Sequence, residues 1–565
     1  MKLKRRISMI IIFFMLETLT LSGCKSSSVQ SNSIENDKSQ YLNMALYEDP
    51  KTLDQSKAVD ISSCQVLADV NEALTRVEKN KDGIDETKPA GAERWDISSD
   101  GLKWVFYIRD NYWSDGKKVT AKDYEYGIKR TLDPKTQSEN AFLLYPIKGA
   151  KSYNEGGKGK KVPSSTVGVK ALDEKKLEIT LEAPNAYFLN LTSLNIMQPQ
   201  RKDIVDINGE KYGLEASTMV FCGPFLIKEW NHNDKVELVK NEDYWDGKSV
   251  KLEKITMQIV KSEDYSLDEL ANGSIDIAKV TKSQWKDKLN KTGKFDNIKA
   301  PKPTINYELF NQKDKLFSNI KVRKAFSSAI DREEISRKLW NEVYSPAYGW
   351  VPPSLKIGND IFRQKANEEP VKILKEDIKD PRALLIEGLR ELGLGKEPEK
   401  ITVRYLQPGI DGAQKEMAEF FQQMYNKKLG INVKIEYVQW EDFQKKVAAG
   451  DYQIASMVWS ADYNDPMSMF EPWVKGTNII STGWSNSKYD TLVKEASSLG
   501  NDKNEERFKY FREAEDILLL EDVVMAPTIY KNKQLYKQKY IKGLMFPLFG
   551  PEVELKYAYI QGRWK

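Results

Sequence analysis

Histidine is nearly missing: His232 is the only one in 565 residues. That excludes histidine-rich metal centres and argues against Ser-His-Asp or Cys-His chemistry. Cysteine is scarce too. Three in a chain of this length exclude a disulfide-stapled scaffold. No excess of one charge exists, since 87 Lys and Arg stand against 83 Asp and Glu. A net charge of +4 is no polyanion footprint, so nucleic acid is not an expected partner. Past residue 21 no run approaches the roughly 20 apolar residues of a membrane-spanning helix. What is present is a chain with 40% apolar and 11% aromatic residues. At roughly 100–200 residues per domain, it has room for about three domains or more, each with a core.

The first 24 residues read as an export signal. Lys2, Lys4, Arg5 and Arg6 form a basic head. An apolar stretch of about 15 residues follows from Ile7 to Leu21, broken by Glu17, too short to span a bilayer comfortably. It ends at Leu21-Ser22-Gly23-Cys24, which resembles the bacterial lipobox, where a Cys receives lipid and becomes the first residue. The expectation is a lipoprotein signal peptide over 1–23 and a lipid-anchored flexible tether over 24–40. The tether stretch, KSSSVQSNSIENDKSQ after Cys24, is rich in Ser and Asn and nearly free of apolar residues. The body is then held outside the bacterial cell membrane. Cys64 and Cys222 remain. In an exported protein they can pair, or they can be two thiols packed as small hydrophobes, and the sequence leaves this open.

The body patterns as α/β. Trp104, Phe106 and Ile108 alternate like one face of a strand, and segments 235–239, 401–405 and 433–437 behave similarly. Val322, Ala325, Phe326, Ala329 and Ile330 fall at helical spacing, as do Met417, Phe420, Phe421, Met424 and Tyr425. Strand and helix patterns interleave along the whole length, which favours α/β over all-α or all-β. The stretch Asn154 to Ser165 reads as an exposed loop; its GGKGKK lacks the spacing of a phosphate-binding loop. No Asp/Glu pair stands out as catalytic, and no calcium-loop spacing occurs. An enzyme, such as a lipid-anchored hydrolase, finds no nucleophile–base pairing to rest on. No cofactor or metal is expected.

Four stretches carry a more specific signal. Asp49-Pro50-Lys51-Thr52-Leu53-Asp54 opens the body. Trp95-Asp96-Ile97-Ser98 leads through Trp104 to Arg109, then to Trp113-Ser114-Asp115-Gly116 and Val119 to Asp123. Gly223-Pro224-Phe225 and Asn241 to Trp245 follow, and later Val322 to Phe326, Ala329 to Arg332, and Pro352-Pro353. Much of this is explicable as fold alone: Ser114-Asp115-Gly116 is turn chemistry and Thr120 suits a helix N-cap. Together the stretches resemble the extracytoplasmic solute-binding proteins of peptide ABC importers, oligopeptide-binding proteins above all. The resemblance covers nearly everything after the tether.

The resemblance implies a bilobal α/β fold with a central cleft and an extra subdomain inserted in the first lobe. The first lobe is then 41–71, 201–302 and 525–565, the inserted subdomain 72–200, and the second lobe 303–524. Oligopeptides bind between lobes that close by hinge bending, and a monomeric, non-enzymatic receptor passes them to the permease of an ABC transporter. A relative taking a different solute or a single signalling peptide is the alternative.

Site residues follow from the same resemblance. Trp459-Ser460-Ala461-Asp462-Tyr463 resembles the family's W-x-A-D-Y motif, whose acidic residue pairs with the peptide's ammonium. Asp462 takes that role here, through a charge-assisted hydrogen bond in a water-poor cleft. Without the family, Asp462 and Asp465 also fit a turn before Pro466. The peptide backbone is expected to pair with strands near Asp60-Ile61-Ser62 and Trp459-Ser460-Ala461. Trp440 matches a cleft aromatic, or packs in the core. Lys279 and Asn306 align near side-chain pockets. Basic residues that meet the peptide's carboxylate in some relatives are replaced by Val447 and Ser456, with Lys445 and Lys446 nearby. How the carboxylate is held is therefore open.

Overall fold

The computed structural model describes residues 37–563, except 81–82, 157–161, 410–411, 478–479 and 481. Cys24, the signal segment and the middle of the Asn154 to Ser165 loop lie outside the described residues.

Chain order explains the architecture. Strand β1 (Tyr41–Leu46) leads to helix α1 (Ile61–Val70). Strands β2 (Ala92–Ile97) and β3 (Lys103–Ile108), helix α2 (Ala121–Leu132), and strands β4 (Val169–Ala171) and β5 (Lys176–Thr180) come next. They build a four-stranded antiparallel sheet in the order β2-β3-β5-β4. As the alternation in the sequence requires, Trp104, Phe106 and Ile108 are all buried. Gly116 takes φ +82° in the turn after β3, where glycine has no steric penalty. Helix α2 starts at Thr120, whose backbone N–H donates to the Asp123 carboxylate at 2.8 Å, a capping-box contact.

Strands β6 (Phe225–Asn231), β7 (Lys235–Lys240), β8 (Lys254–Ile259) and β9 (Ile277–Lys279) return to β1. The long β10 (Phe295–Phe310) then crosses to a region containing α3 (Ile320–Ala329), β11 (Thr402–Pro408), α4 (Gly412–Leu429), β12 (Asn432–Val438), α5 (Trp440–Ala449) and β13 (Ile454–Ser460). Helix α6 (Asn504–Asp516) precedes β14 (Met525–Gln538), which crosses back. One eleven-stranded sheet results: ten strands follow the path β12-β11-β13-β10-β14-β9-β1-β8-β7-β6, and the short strand Ser345–Pro346 pairs with β14 off it. The apolar stripes of α3 and α4 are buried together with Val403, Tyr405 and Val433 in one core, and β1, α1 and β6 to β8 form another.

The fold is thus α/β and two-lobed, with β10 and β14 as the two long strands shared by both lobes. Their pairing slips between Pro301 and Ile305. Pro301 faces Asn532 but Ile305 faces Tyr530, so β10 carries two extra residues there. Such a bulge unpairs and bends the strand locally.

Two expectations are corrected, and the open question of Cys64 and Cys222 is answered. Asp60-Ile61-Ser62 is not a strand: Asp60 caps α1, accepting the Ser63 N–H at 2.8 Å and the Ser63 hydroxyl at 2.6 Å. The tether stops short of residue 40. Asp37 accepts the N–H groups of Gly562 and Arg563, and Gln40 donates to Ile560 O, which fixes residues 37–40 to the body. Cys64 and Cys222 are free thiols.

Candidate functional site

The Trp459–Asp462 motif sits at the end of β13, where the sheet stops and the chain turns. Ile305 pairs with Trp459 and Thr304 with Ser460, whose hydroxyls lie 2.9 Å apart. Ala461 N–H continues the ladder to Pro303 O at 2.8 Å. Asp462 is the first residue past it. Its N–H donates to Ser468 Oγ at 2.8 Å, and the indole N–H of Trp459 donates to Ser468 O at 3.0 Å. Ser468 thus fixes both ends of the motif.

The Asp462 carboxylate is half-buried and has no ion-pair partner among the described residues. Burial, reinforced by the neighbouring Glu471 carboxylate, pushes its pKa up to about 6, against a weak opposing hydrogen bond from Ser468. A carboxylate held this way is destabilised until a cation arrives. Asp465, three residues on, has a different task. It accepts the Met467 N–H at 2.9 Å and the Arg507 guanidinium at 2.7 Å, with both side chains buried. The turn is Asp465's work, which leaves Asp462 unclaimed.

The loop also touches residues far from it in the chain. Asn190 donates to Asn464 O at 3.1 Å, and Tyr187 stacks on Tyr463. Asn464 Oδ1 accepts the Lys356 N–H at 3.1 Å. Asn306 on β10 pairs with Val458 and is buried, its side-chain Oδ1 without a partner among the described residues.

The other expected residues are placed differently. Ile61 is exposed at the start of α1, and Lys279 ends β9. Both line one cavity of about 210 Å³, with Tyr47, Gln65, Lys302 and Glu552. Trp440 is 57% exposed at the first turn of α5, stacked on Phe443 at 5.6 Å, so it is not a core residue. Val447 and Ser456 are buried. Lys446 is bound to Glu436 and Asp451, and Lys445 lies 3.8 Å from Asp442. Lys446 is thus held by two carboxylates, whereas Lys445 is an exposed surface side chain. Sequence reasoning missed Ser468, Glu471, Tyr187 and Arg507, the residues packed or bonded around the motif. Only Ser468 and Glu471 are close enough in sequence to Asp462 for proximity to have pointed to them.

The profile of the bacterial extracellular solute-binding proteins, family 5, matches residues 86–481. The dipeptide-binding protein DppE of Bacillus subtilis is 32% identical over 552 residues, 96% of each chain. The oligopeptide-binding protein OppA of the same organism is 31% identical over 568 residues, 99% of this chain and 100% of that one. In structure the chain is similar to the substrate-binding domain of an oligopeptide ABC transporter from Bacillus anthracis. The TM-score is 0.77 at 31% identity, with 94% of this chain and 100% of the other covered. These relatives are binding proteins rather than enzymes, and this chain likewise is not an enzyme. It belongs to family 5 of the bacterial extracellular solute-binding proteins.

Proposed function

We propose that the protein is an extracytoplasmic receptor, lipid-anchored through Cys24, that binds oligopeptides between its lobes and delivers them to the permease of an ABC importer. The observation that carries this reading is Asp462: a half-buried carboxylate beside Glu471, with no cationic partner among the described residues, at the rim of β13. A peptide's α-ammonium is the complementary group, and its recognition is independent of side chains. The exposed edge of the motif, with Ser460 open to solvent, suits backbone pairing of an extended peptide. Dipeptide and oligopeptide binding by the relatives DppE and OppA supports the same ligand class.

The division into a first lobe (41–71, 201–302, 525–565), an inserted subdomain (72–200) and a second lobe (303–524) belongs to this proposal. The slip in pairing between β10 and β14 supports a hinge there. Trp440, exposed at the start of α5, is assigned to the cleft rim through its match to the family's cleft aromatic.

Mass spectrometry of ligand released from the purified protein tests the reading. A mixture of short peptides with free amino termini is expected. A single peptide species would point to signalling, and a non-peptide ligand would overturn the proposal.

A further inference from the structure

Four lysines share one face of the sheet beside the hinge. Residues two apart in a strand point the same way, so Lys531, Lys533 and Leu535 of β14 lie on one face. Leu535 pairs with Lys279 of β9 and with Ile298 of β10, and Lys533 pairs with Ala300. Lys279 therefore joins that face, and the same alternation brings Lys302 to it. Lys279 and Lys302 line the 210 Å³ cavity together with Ile61, Ser62 and Gln65 of α1.

Two of these cations are accounted for. Lys533 donates to Pro547 O at 3.1 Å and Glu552 O at 3.0 Å, and Lys302 lies 3.3 Å from Glu552. Glu48, exposed at the rim of the cavity, is its other acid. Lys279 and Lys531 have no carboxylate at ion-pair distance among the described residues. Burial, together with the like charges of Lys302 and Lys279, pushes Lys531 down to about 8. Four lysines with two carboxylates, Glu552 and the exposed Glu48, among them lack anionic charge. The surplus of positive charge is complementary to a ligand carboxylate.

The position suits a second anchor for the ligand. β13, β10 and β14 are consecutive in the sheet. Ala461 bonds to Pro303, and Pro303 lies opposite the Tyr530–Asn532 stretch. The backbone at Asp462 is thus two strand spacings, about 10 Å, from that at Lys531. Val447 and Ser456, which stand where some relatives carry basic residues that meet the peptide's carboxylate, are uncharged and buried.

Building on the peptide reading, we propose that Lys279, Lys302 and Lys531 form the site that receives a carboxylate of the bound peptide. The C-terminal carboxylate and an acidic side chain share this chemistry. The test is calorimetric titration of the purified protein with three probes: trialanine, trialanine amide, and an amidated tripeptide containing one Glu. Wild-type protein is expected to bind trialanine about tenfold or more tightly than its amide, as a charge-assisted hydrogen bond implies. Tight binding of the Glu-containing amide would assign the site to acidic side chains, weak binding to the C-terminus; either supports the cluster. Lys531→Met and, separately, Lys279→Met should shrink the gap while keeping the melting temperature, since each removes a cation crowded by its own kind.

An undiminished gap in both variants would overturn the site. So would wild-type protein that binds all three probes equally. Binding of none of them would instead overturn the peptide reading, and the carboxylate site with it.

Discussion

Tyr187 and Tyr463 lie nearly parallel, with ring centroids 4.3 Å apart and 12° between planes. One belongs to the 72–200 segment and the other follows Asp462 directly, so the stack ties the loop that carries Asp462 to that segment. Both rings are buried. A Tyr463→Leu variant keeps most of the apolar volume and loses the stack. Stacked pairs contribute about 1 kcal/mol beyond burial, so peptide affinity should fall about fivefold, mainly through faster release. Stopped-flow dissociation reads this directly; unchanged release would mean that the stack does not hold the cleft shut.

Asp462 gives a pH dependence of defined sign. Its carboxyl titrates near 6 in the empty protein because of burial and Glu471. The ammonium pairs with the charged form, so peptide binding expels a proton below that pH. Affinity should be flat above pH 7 and fall up to tenfold per pH unit below 6. Asp462→Ala should cost about 2–5 kcal/mol, roughly thirtyfold to several thousandfold in Kd, and abolish the slope. An Asp462→Ala protein that still binds tightly would end the ammonium assignment.

Asp465 and Arg507 should behave as structural partners. Their buried pair, 2.7 Å long, anchors the turn after the motif to α6. Replacing Arg507 with Met strands the Asp465 charge, and breaking a buried pair costs about 3–5 kcal/mol. A melting temperature lowered by several degrees is expected. The double variant Asp465→Asn, Arg507→Met should recover part of the loss. A double variant no better than the single one would show that the pair's worth lies in packing rather than charge.

Much of the frame was legible in the residues. The alternation of Trp104, Phe106 and Ile108 and the stripe from Val322 to Ile330 are one-dimensional signals, and burial follows them. Asp462 was legible only through its motif, since on spacing alone it resembles Asp465. What separates them is Arg507, 42 residues later, which claims one carboxylate and not the other. The lysine cluster was illegible for a related reason. Lys279, Lys302 and Lys531 meet through strand pairing across more than 200 residues, and no local pattern records that. Asp60-Ile61-Ser62 failed as a strand because a three-residue capping contact outweighs alignment with an extended segment.

Cys24 lies outside the described residues, so its role is tested in cells. Cys24→Ala should move the protein from the membrane fraction to the soluble fraction or the medium, with peptide affinity unchanged. A variant that still sediments with membranes would refute the lipid anchor.

Glu308 makes stability depend on pH in a way separable from binding. It sits buried in β10, accepting the Tyr405 hydroxyl at 3.0 Å through one oxygen, with no partner for the other among the described residues. Burial pushes its carboxyl up to about 8, against a smaller opposing effect of Tyr405. In the unfolded chain the same group titrates near 4.5. Between these values the folded protein keeps a proton that the unfolded chain has released. Stability is therefore fully present below pH 4.5 and falls by about 1.4 kcal/mol per unit as pH rises towards 8. Glu308→Gln keeps the shape and the acceptor for Tyr405 but cannot titrate. Urea midpoints measured at pH 5 and pH 8 should converge for the two proteins at the lower pH and favour the variant at the higher. Parallel profiles would mean that the carboxyl finds a partner, such as a buried water, that holds it charged at no cost to the fold.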